Sequence, residues 1–219
     1  MSPLSGSHLF EVRSLVFDSR PGHATSQVSF FLEAGGLVWI TGPSGHGKTT
    51  LLRTIARLNA PLQGEMLLEA ESWRTIPAAD WRSRILYTHQ KAVLFRGSVL
   101  ANLKKAFDLR SRTARTPDMQ GAELDLVRLL LPGDILNRDA LTLSVGEASR
   151  VALVRSMLVN PQILLLDELT AALDQKSRDA TIELLEQWVS AGRRAVVAVS
   201  HDAAVRDALG GEEISLEIL

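Results

Sequence analysis

The segment Gly42-Pro-Ser-Gly-His-Gly-Lys-Thr49 constrains the fold more than any other part of the chain. It fits the pattern G-x-x-x-x-G-K-[ST], with an apolar run at 37–40 before it and a helix-forming stretch at about 49–58 after it. Such loops hold phosphate oxygens through backbone N–H groups at a helix N-terminus, and glycine lets the backbone come close. The predicted phosphate site comprises Gly42, Pro43, Ser44, Gly45, His46, Gly47, Lys48, Thr49 and Thr50.

Within this loop two side chains have predicted chemical roles. Lys48 is expected to reach the β- and γ-phosphates of a nucleotide, and the Thr49 hydroxyl to bind Mg²⁺. His46 is expected to be a solvent-facing spacer, since an isolated histidine in such a loop needs no catalytic role.

The run Ile163-Leu-Leu-Leu-Asp167-Glu168 places two carboxylates at the end of a wholly apolar strand. In open α/β sheets ligands bind at the carboxyl ends of the strands, so this pair is expected to meet the phosphate loop. Asp167 is then predicted to hold Mg²⁺, mostly through water, and Glu168 to polarise an attacking water as general base. Taken alone, an acidic pair after a strand is also typical of a helix start.

The remaining pattern indicates an α/β fold. Apolar runs at 163–166 and 195–199 are separated by an amphipathic stretch at 177–191, as in a parallel sheet covered by helices on both faces. Residues 9–40 are β-rich, residues 94–155 are mostly helical, and the polar stretch 110–121 is predicted to be a loop. Alternating Ile214, Leu216 and Ile218 predict a final half-buried strand.

Composition excludes several classes of function. The chain has 219 residues, a formal net charge of -1 and no cysteine. Disulfides, thiol catalysis and cysteine metal sites are therefore excluded, and the charge provides no argument for nucleic-acid binding. The N-terminus lacks the basic and apolar stretches of a signal peptide, and no apolar run approaches the roughly 18 residues that span a bilayer. We therefore expect no direct membrane insertion.

Four further segments occur in a recognisable order. Leu143-Ser-Val-Gly-Glu147 resembles the L-S-G-G-Q signature of ATP-binding cassette (ABC) ATPases, and Ala171-Ala-Leu-Asp174 resembles their D-loop. Val199-Ser-His201 resembles their switch histidine, and Gln90 resembles the glutamine that links the nucleotide to the membrane partner. The resemblance covers the chain from about residue 9 to its end.

The resemblance implies a P-loop NTPase core with a mainly parallel sheet, an N-terminal antiparallel β subdomain and an inserted α-helical signature subdomain. The whole chain 1–219 is then one ABC ATPase domain, with its core at 1–93 and 156–219 and the helical subdomain at 94–155. It further implies that ATP and Mg²⁺ are bound and that two copies of the chain sandwich two ATP molecules.

Roles follow from the same resemblance. Ser144 and the Gly146 backbone are expected to bind the γ-phosphate on the second copy, and Asp174, also predicted to belong to the nucleotide site, to carry signals across the interface. His201 is expected to orient Glu168 and the water. The predicted catalytic residues are Lys48, Gln90, Glu168 and His201, and the predicted metal ligands are Thr49, Gln90 and Asp167. Phe17, in the β-rich N-terminal part, is predicted to stack on the adenine, or else to pack in the core or on a sheet face.

The signature departs from the family pattern at two positions. Val145 replaces a glycine and is expected to stiffen the segment if the backbone there needs a positive φ, and Glu147 replaces a glutamine and adds negative charge near phosphate. Activity is expected to persist because Gly146, where the backbone approaches phosphate, is kept.

The chain looks most like small bacterial ATPase subunits assigned to iron export. A separate transmembrane permease is then expected, with this subunit peripheral on the cytoplasmic face of the inner or plasma membrane. Leu94, Phe95 and Val99 are predicted to line the permease groove, or else to pack the subdomain. The alternatives are a soluble ABC-type ATPase outside transport and a nucleotide-gated scaffold. A DNA-acting ABC ATPase would have a long coiled coil before Ser144, and a ribosome-acting one would have two cassettes.

Overall fold

A computed structural model describes residues 8–20, 24–108 and 116–216 of the chain. Nine strands form two sheets: β1 (Phe10–Arg20), β2 (Ala24–Leu32), β3 (Leu37–Thr41), β4 (Gln63–Leu68), β5 (Glu71–Ser72), β6 (Ile85–Thr88), β7 (Ile163–Asp167), β8 (Ala195–Val199) and β9 (Glu212–Ser215). Seven α-helices cover them: α1 (Lys48–Ile55), α2 (Ala78–Arg84), α3 (Val99–Asp108), α4 (Met119–Arg128), α5 (Val145–Leu158), α6 (Gln175–Ser190) and α7 (Ala203–Leu209).

The larger sheet is parallel and has the strand order β6-β7-β8-β3-β9. Every residue of β7 and β8 is buried, as expected for strands covered on both faces. Side chains alternate between the two faces: Ile163 and Leu165 join one hydrophobic core, and Leu164 and Leu166 join another. The parallel direction brings the carboxyl ends of β3, β6, β7 and β8 to one edge.

The smaller sheet is antiparallel and has the order β2-β1-β4-β5. Its inner face shares the first core with α1 and the parallel sheet, through residues such as Phe10, Leu15 and Met66. The second core lies between the other face of the parallel sheet and α3 to α6, with Val99, Leu126 and Leu153 among its members. The predicted α/β architecture, with a parallel sheet and a separate antiparallel one, is confirmed.

Several boundaries differ from those predicted. Helix α4 begins at Met119, inside the stretch predicted to be a loop, because the Asp118 side chain accepts a hydrogen bond from the Gly121 N–H and caps it. Residues 109–115 of that stretch lie outside the described residues, as do the last three of the chain. The final strand runs to Ser215, and Ile218 of the predicted strand lies outside the described residues. Helix α5 crosses the boundary proposed between residues 155 and 156, so the division into core and helical subdomain stays a prediction.

Candidate functional site

The glycine-rich loop joins the carboxyl end of β3 to the first turn of α1. Gly47 immediately precedes α1 in the left-handed conformation, with φ of 88°. A Cβ atom there would lie 2.8 Å from the Ser19 Cα and 3.2 Å from the Phe17 ring, both on β1. Glycine is therefore needed at this position both for the backbone angle and for the close approach of β1. The loop is held against the antiparallel sheet at its back.

Lys48 is folded back along its own loop. Its Nζ donates to the Gly42 carbonyl at 2.7 Å and to the Pro43 carbonyl at 3.0 Å. Burial lowers the pKa of Lys48, while the nearby carboxylates of Glu168 and Asp167 raise it. The ammonium group therefore lies at the mouth of the loop with acidic groups facing it, a position from which it can reach an anionic ligand.

The buried carboxylate of Asp167 joins the loop to the end of β7. The Thr49 hydroxyl donates to its Oδ1 at 3.2 Å, and the Tyr87 hydroxyl donates to its Oδ2 at 2.8 Å. Burial, followed by this hydrogen bond, raises the pKa of Tyr87, so the phenol stays a donor. A hydroxyl beside a carboxylate at a phosphate loop is the oxygen donor set that Mg²⁺ prefers, so these residues fit that ion.

Glu168 is held from two sides. Its Oε2 accepts a hydrogen bond from Gln90 Nε2 at 2.7 Å, and its Oε1 lies 3.2 Å from His201 Nε2. The backbone at Glu168 has φ of 50°, unusual for a residue other than glycine, and its N–H donates to the Val199 carbonyl at 3.0 Å. The carboxylate is thus aimed by β6, β7 and β8 together, as expected for a positioned general base.

Other predicted loop residues are near the same edge. His46 is exposed, and its Nδ1 lies 3.5 Å from the Ser44 carbonyl oxygen, as expected for a spacer. Pro43, Ser44 and Gly45 continue the loop, and Thr50 lies in the first turn of α1, where its carbonyl accepts a bond from Thr54. These positions agree with a phosphate site, and the individual assignments stay predictions.

Phe17 requires a correction. Its side chain is 0% exposed and belongs to the first core, beneath the phosphate loop. A ring buried on both faces has no surface to offer a base, so this arrangement does not support stacking on adenine. The sequence offered both stacking and core packing for this aromatic residue of the β-rich N-terminal part, and its burial in the first core favours the second.

The signature segment forms the start of α5. Ser144 is the N-cap: its Oγ accepts from the Glu147 N–H at 3.3 Å, while the Glu147 Oε2 accepts from the Ser144 N–H at 2.9 Å. The other Glu147 oxygen lies 3.0 Å from Arg138. These bonds, first that from the Ser144 backbone and then the Arg138 charge, lower the pKa of Glu147. Val145 is the first helical residue, and its side chain is 65% exposed.

Val145 does not need the positive φ that was expected to strain it, since it lies in a right-handed helix. The close approach falls instead at Gly146, where a Cβ atom would lie 3.1 Å from the Ala172 carbonyl oxygen. The start of α5 therefore packs against the D-loop of the same chain, and that contact explains why position 146 is glycine.

Asp174 is the N-cap residue of α6. It accepts from the Ser177 N–H and hydroxyl, both at 3.0 Å, and these bonds lower its pKa. Ser177 in turn accepts a bond from Arg150 at 2.7 Å, and Arg150 Nε donates to the Gly146 carbonyl at 3.2 Å. A chain of hydrogen bonds thus joins the D-loop to the signature.

Two residues of the site were not predicted from the sequence. Tyr87 lies near the carboxyl end of β6, three residues before Gln90. Its place near a strand end is the feature of the sequence that indicates a position at the site. Arg138 precedes the signature by five positions and has no local signal, because a 3-10 helix at Ile135–Asn137, which ends at Arg138, brings it to Glu147.

Comparison with known proteins agrees with this geometry. The family model for the ABC transporter matches residues 25–171. The Probable iron export ATP-binding protein FetA of Escherichia coli (strain K12) is 35% identical over 197 residues, which cover 90% of this chain and 86% of that protein. The Molybdenum import ATP-binding protein ModC of Rhodobacter capsulatus is 35% identical over 92% of this chain, which spans 55% of that protein.

Solved structures show the same fold. A dimeric structure of the ATP-binding cassette MJ0796, in a post-hydrolysis state bound to ADP and Pi, has a TM-score of 0.80, with 26% identity and coverage of 95% of this chain and 94% of that one. A bacterial Atm1-family ABC exporter with ATP bound also has a TM-score of 0.80, at 21% identity, and shares the fold. The chain is therefore an ATP-hydrolysing cassette and belongs to the ABC transporter family.

Proposed function

We propose that two copies of this chain close around two molecules of Mg²⁺-bound ATP, and that closure drives a separate transmembrane permease. The single observation that carries the proposal is the position of Glu168, held by Gln90 and His201 at the sheet edge that also carries the phosphate loop. A positioned carboxylate beside a phosphate site is suited to activate water for phosphoryl transfer.

In this proposal the triphosphate is held by the backbone N–H groups at the start of α1 and by Lys48. The lysine exchanges its bonds to the Gly42 and Pro43 carbonyls for bonds to phosphate oxygens. Thr49 and Asp167 hold the metal, and Tyr87 orients Asp167. When bound, Mg²⁺ would neutralise the negative charge that develops on the phosphates during transfer.

Glu168 takes a proton from the attacking water, and His201 and Gln90 keep its carboxylate in place. Gln90 was also predicted to be a metal ligand. Its amide nitrogen donates to Glu168 here, which favours a role in positioning the base, and metal contact stays a prediction. Lys48 stabilises the negative charge of the transferring phosphoryl group.

The second copy is proposed to supply Ser144 and the Gly146 backbone to the γ-phosphate, from the N-terminus of α5. A dimeric structure of a similar cassette, bound to ADP and Pi, supports the pairing of two copies. Asp174 lies beside this surface and is proposed to pass the state of one site to the other, through its hydrogen-bonded link to Gly146.

The test is the oligomeric state of the purified Glu168→Gln chain, by size-exclusion chromatography with light scattering, with and without Mg²⁺-bound ATP. We expect a monomer without ATP and a dimer with it, because slow hydrolysis preserves the closed state. Glu186→Gln, an exposed glutamate on α6, is the matched control and should not trap a dimer. A Glu168→Gln chain that binds ATP and stays monomeric would contradict the sandwich.

A groove of about 440 Å³ between α2, β6 and α3 is the proposed permease-binding surface. Of the three residues predicted to line it, Phe95 does so, Leu94 is half-buried in the second core, and Val99 is fully buried. Arg82, Lys105 and Arg155 bring three positive charges to the same groove, with Lys105 and Arg155 over the Phe95 ring. The described lining includes no acidic residue. We therefore propose that an apolar permease segment carrying an acidic side chain binds here.

Among the described residues, no helix is both long enough and apolar enough to cross a bilayer. Attachment to the cytoplasmic face of the inner or plasma membrane is thus proposed to run through the permease. In cells that make the natural permease, Lys105→Glu should reduce recovery of the chain with membranes. Lys176→Glu, on α6, is the matched control. Equal recovery of both variants would contradict this surface.

Iron is the proposed cargo, with export as the direction, on the basis of the relative described as a probable iron export protein. Other relatives of similar identity serve molybdenum import or sulfate/thiosulfate import. Deletion of the gene should raise cellular iron if the proposal is correct, measured by elemental analysis alongside molybdenum. An unchanged iron content with altered molybdenum would redirect the assignment.

A further inference from the structure

Glu147 poses an electrostatic problem for the proposed site. It lies in the first turn of α5, where free backbone N–H groups would attract the γ-phosphate of ATP on the second copy. A carboxylate in this turn repels that phosphate. The capping bond to the Ser144 N–H fixes the carboxylate there but leaves its charge in place.

Arg138 forms an ion pair with Glu147 and offsets its negative charge. Its Nη1 lies 3.0 Å from Glu147 Oε1, and the two side chains are 35% and 19% exposed. The pair is therefore partly desolvated and yet open to a second copy. A nearby carboxylate, Asp139, is engaged elsewhere, since it caps its own short turn through the Leu141 N–H.

The backbone holds Arg138 in place. Its N–H donates to the Ile135 carbonyl at 3.1 Å, and its carbonyl accepts from the Val99 N–H at the start of α3, at 3.0 Å. Ile135 and Val99 are both buried. The backbone of Arg138 is thus anchored by residues outside α5, and the guanidinium extends from it to Glu147.

We infer that Arg138 is a positioning residue for the signature: it holds the Glu147 carboxylate at the capping site and offsets its charge, so that Ser144 and the Gly146 N–H can receive the phosphate. This inference rests on the proposed two-copy site. It explains how a signature with glutamate in place of glutamine serves an anionic ligand. It also gives Arg138 a role that depends on Glu147.

A purely structural role for Arg138 makes a different prediction. A partly exposed ion pair contributes little to the free energy of folding, so its loss leaves the chain folded and the phosphate loop intact. The Coulomb energy between a bared carboxylate and a phosphate several ångströms away corresponds to a loss on the order of 10-fold in ATP-driven dimerisation. We therefore expect the loss of Arg138 to weaken ATP-driven dimerisation while leaving folding stability and ATP binding by the monomer unchanged.

The experiment is a double-mutant cycle in the Glu168→Gln chain, measuring by light scattering the concentration of Mg²⁺-bound ATP that gives half-maximal dimer. Arg138→Gln should raise this concentration about 10-fold. Arg138→Lys should stay close to the parent chain, because the positive charge remains. In a Glu147→Gln background, Arg138→Gln should change little, since there is no charge left to offset.

Arg128→Gln is the matched control, because Arg128 forms a comparable surface pair with Asp125 on α4. It should leave dimerisation unchanged. The midpoint of thermal unfolding should be similar for all variants. The dissociation constant of ATP from the monomer should differ by less than about 2-fold between them. Salt should weaken the Arg138→Gln defect, as expected for partly exposed charges.

Two results would overturn the inference. In the first, Arg138→Gln weakens ATP-driven dimerisation equally in the chain with Glu147 and in the Glu147→Gln chain. That would mean that the arginine acts on the phosphate itself. No loss in either background would mean that the pair is incidental. If no variant dimerises with ATP, including Glu147→Gln with Arg138 intact, the proposed sandwich fails first, and that outcome is recognisable because the parent chain also fails.

Discussion

The phosphate loop and the start of α5 are both helix N-termini suited to an anion, but one is enclosed and the other is open. Gly47 packs against β1, and Lys48 is buried and bonded to its own loop. At the start of α5, Val145 is largely exposed, and Glu147 already occupies a capping position. The residues proposed to bind the metal and to act as base, Asp167 and Glu168, lie in the same chain as the phosphate loop.

This difference indicates where each half of the reaction is built. The phosphate loop, Asp167 and Glu168 meet inside one subunit, where they are proposed to bind the nucleotide and to supply the base. The start of α5 is proposed to join such a site only when a second copy binds. Changes at the first region should therefore alter binding or chemistry in the monomer, whereas changes at the second should alter dimerisation alone.

The largest expected effect is on turnover. Glu168→Gln should lower the rate of ATP hydrolysis by about 10²- to 10⁴-fold, as removal of a general base does, and should leave ATP affinity unchanged. Steady-state phosphate release measures the rate, and titration with a fluorescent nucleotide measures the affinity. Hydrolysis at the wild-type rate would mean that another group takes the proton.

Phe17→Ala tests whether the loop rests on a packed core. Because the ring is fully buried, truncation should lower the free energy of unfolding by about 3–5 kcal/mol, measured by denaturant titration. Phe17→Leu keeps most of the apolar volume and should cost less, roughly 1–2 kcal/mol. If Phe17→Leu folds well yet loses ATP affinity by about 1 kcal/mol, the ring stacks on the base after all.

Lys48→Ala probes binding within one chain. Loss of a charged donor to phosphate should weaken ATP by roughly 10- to 100-fold, since hydrogen bonds to charged groups contribute about 1.5–3 kcal/mol. The measurement is a titration of dilute, monomeric protein by calorimetry. Lys176→Ala on α6 serves as control. If the loss appeared only at concentrations where the chain dimerises, the enclosed site would not be complete in one subunit.

Val145→Gly should have the smallest effect. The side chain is exposed and its backbone is helical, so glycine should cost less than 1 kcal/mol of stability and shift ATP-driven dimerisation by less than about 3-fold. Light scattering of the Glu168→Gln chain measures the shift. A gain of 10-fold or more would show that valine does obstruct closure and would narrow the contrast between the two regions.

The sequence predicted best the features that depend on short spacing. The phosphate loop, the acidic end of β7 and the overall α/β architecture followed from local patterns, because glycine, lysine and apolar runs have direct structural meaning there. The sequence could not decide between stacking and burial for Phe17, and it did not predict the Arg138–Glu147 pair, because both depend on tertiary packing between segments. Val145 was expected to be strained from its residue type alone, and only the helical backbone at that position removes the expectation.

The buried Arg150 has a consequence for how the protein can vary. It bonds to the Gly146 carbonyl, to the Leu129 carbonyl and to Ser177, which in turn contacts Asp174. Two segments far apart in the chain are thereby tied to one cation. We expect natural variation at the start of α6 to be tolerated only with matching variation at the start of α5. Residues of the two segments should therefore co-vary among related sequences.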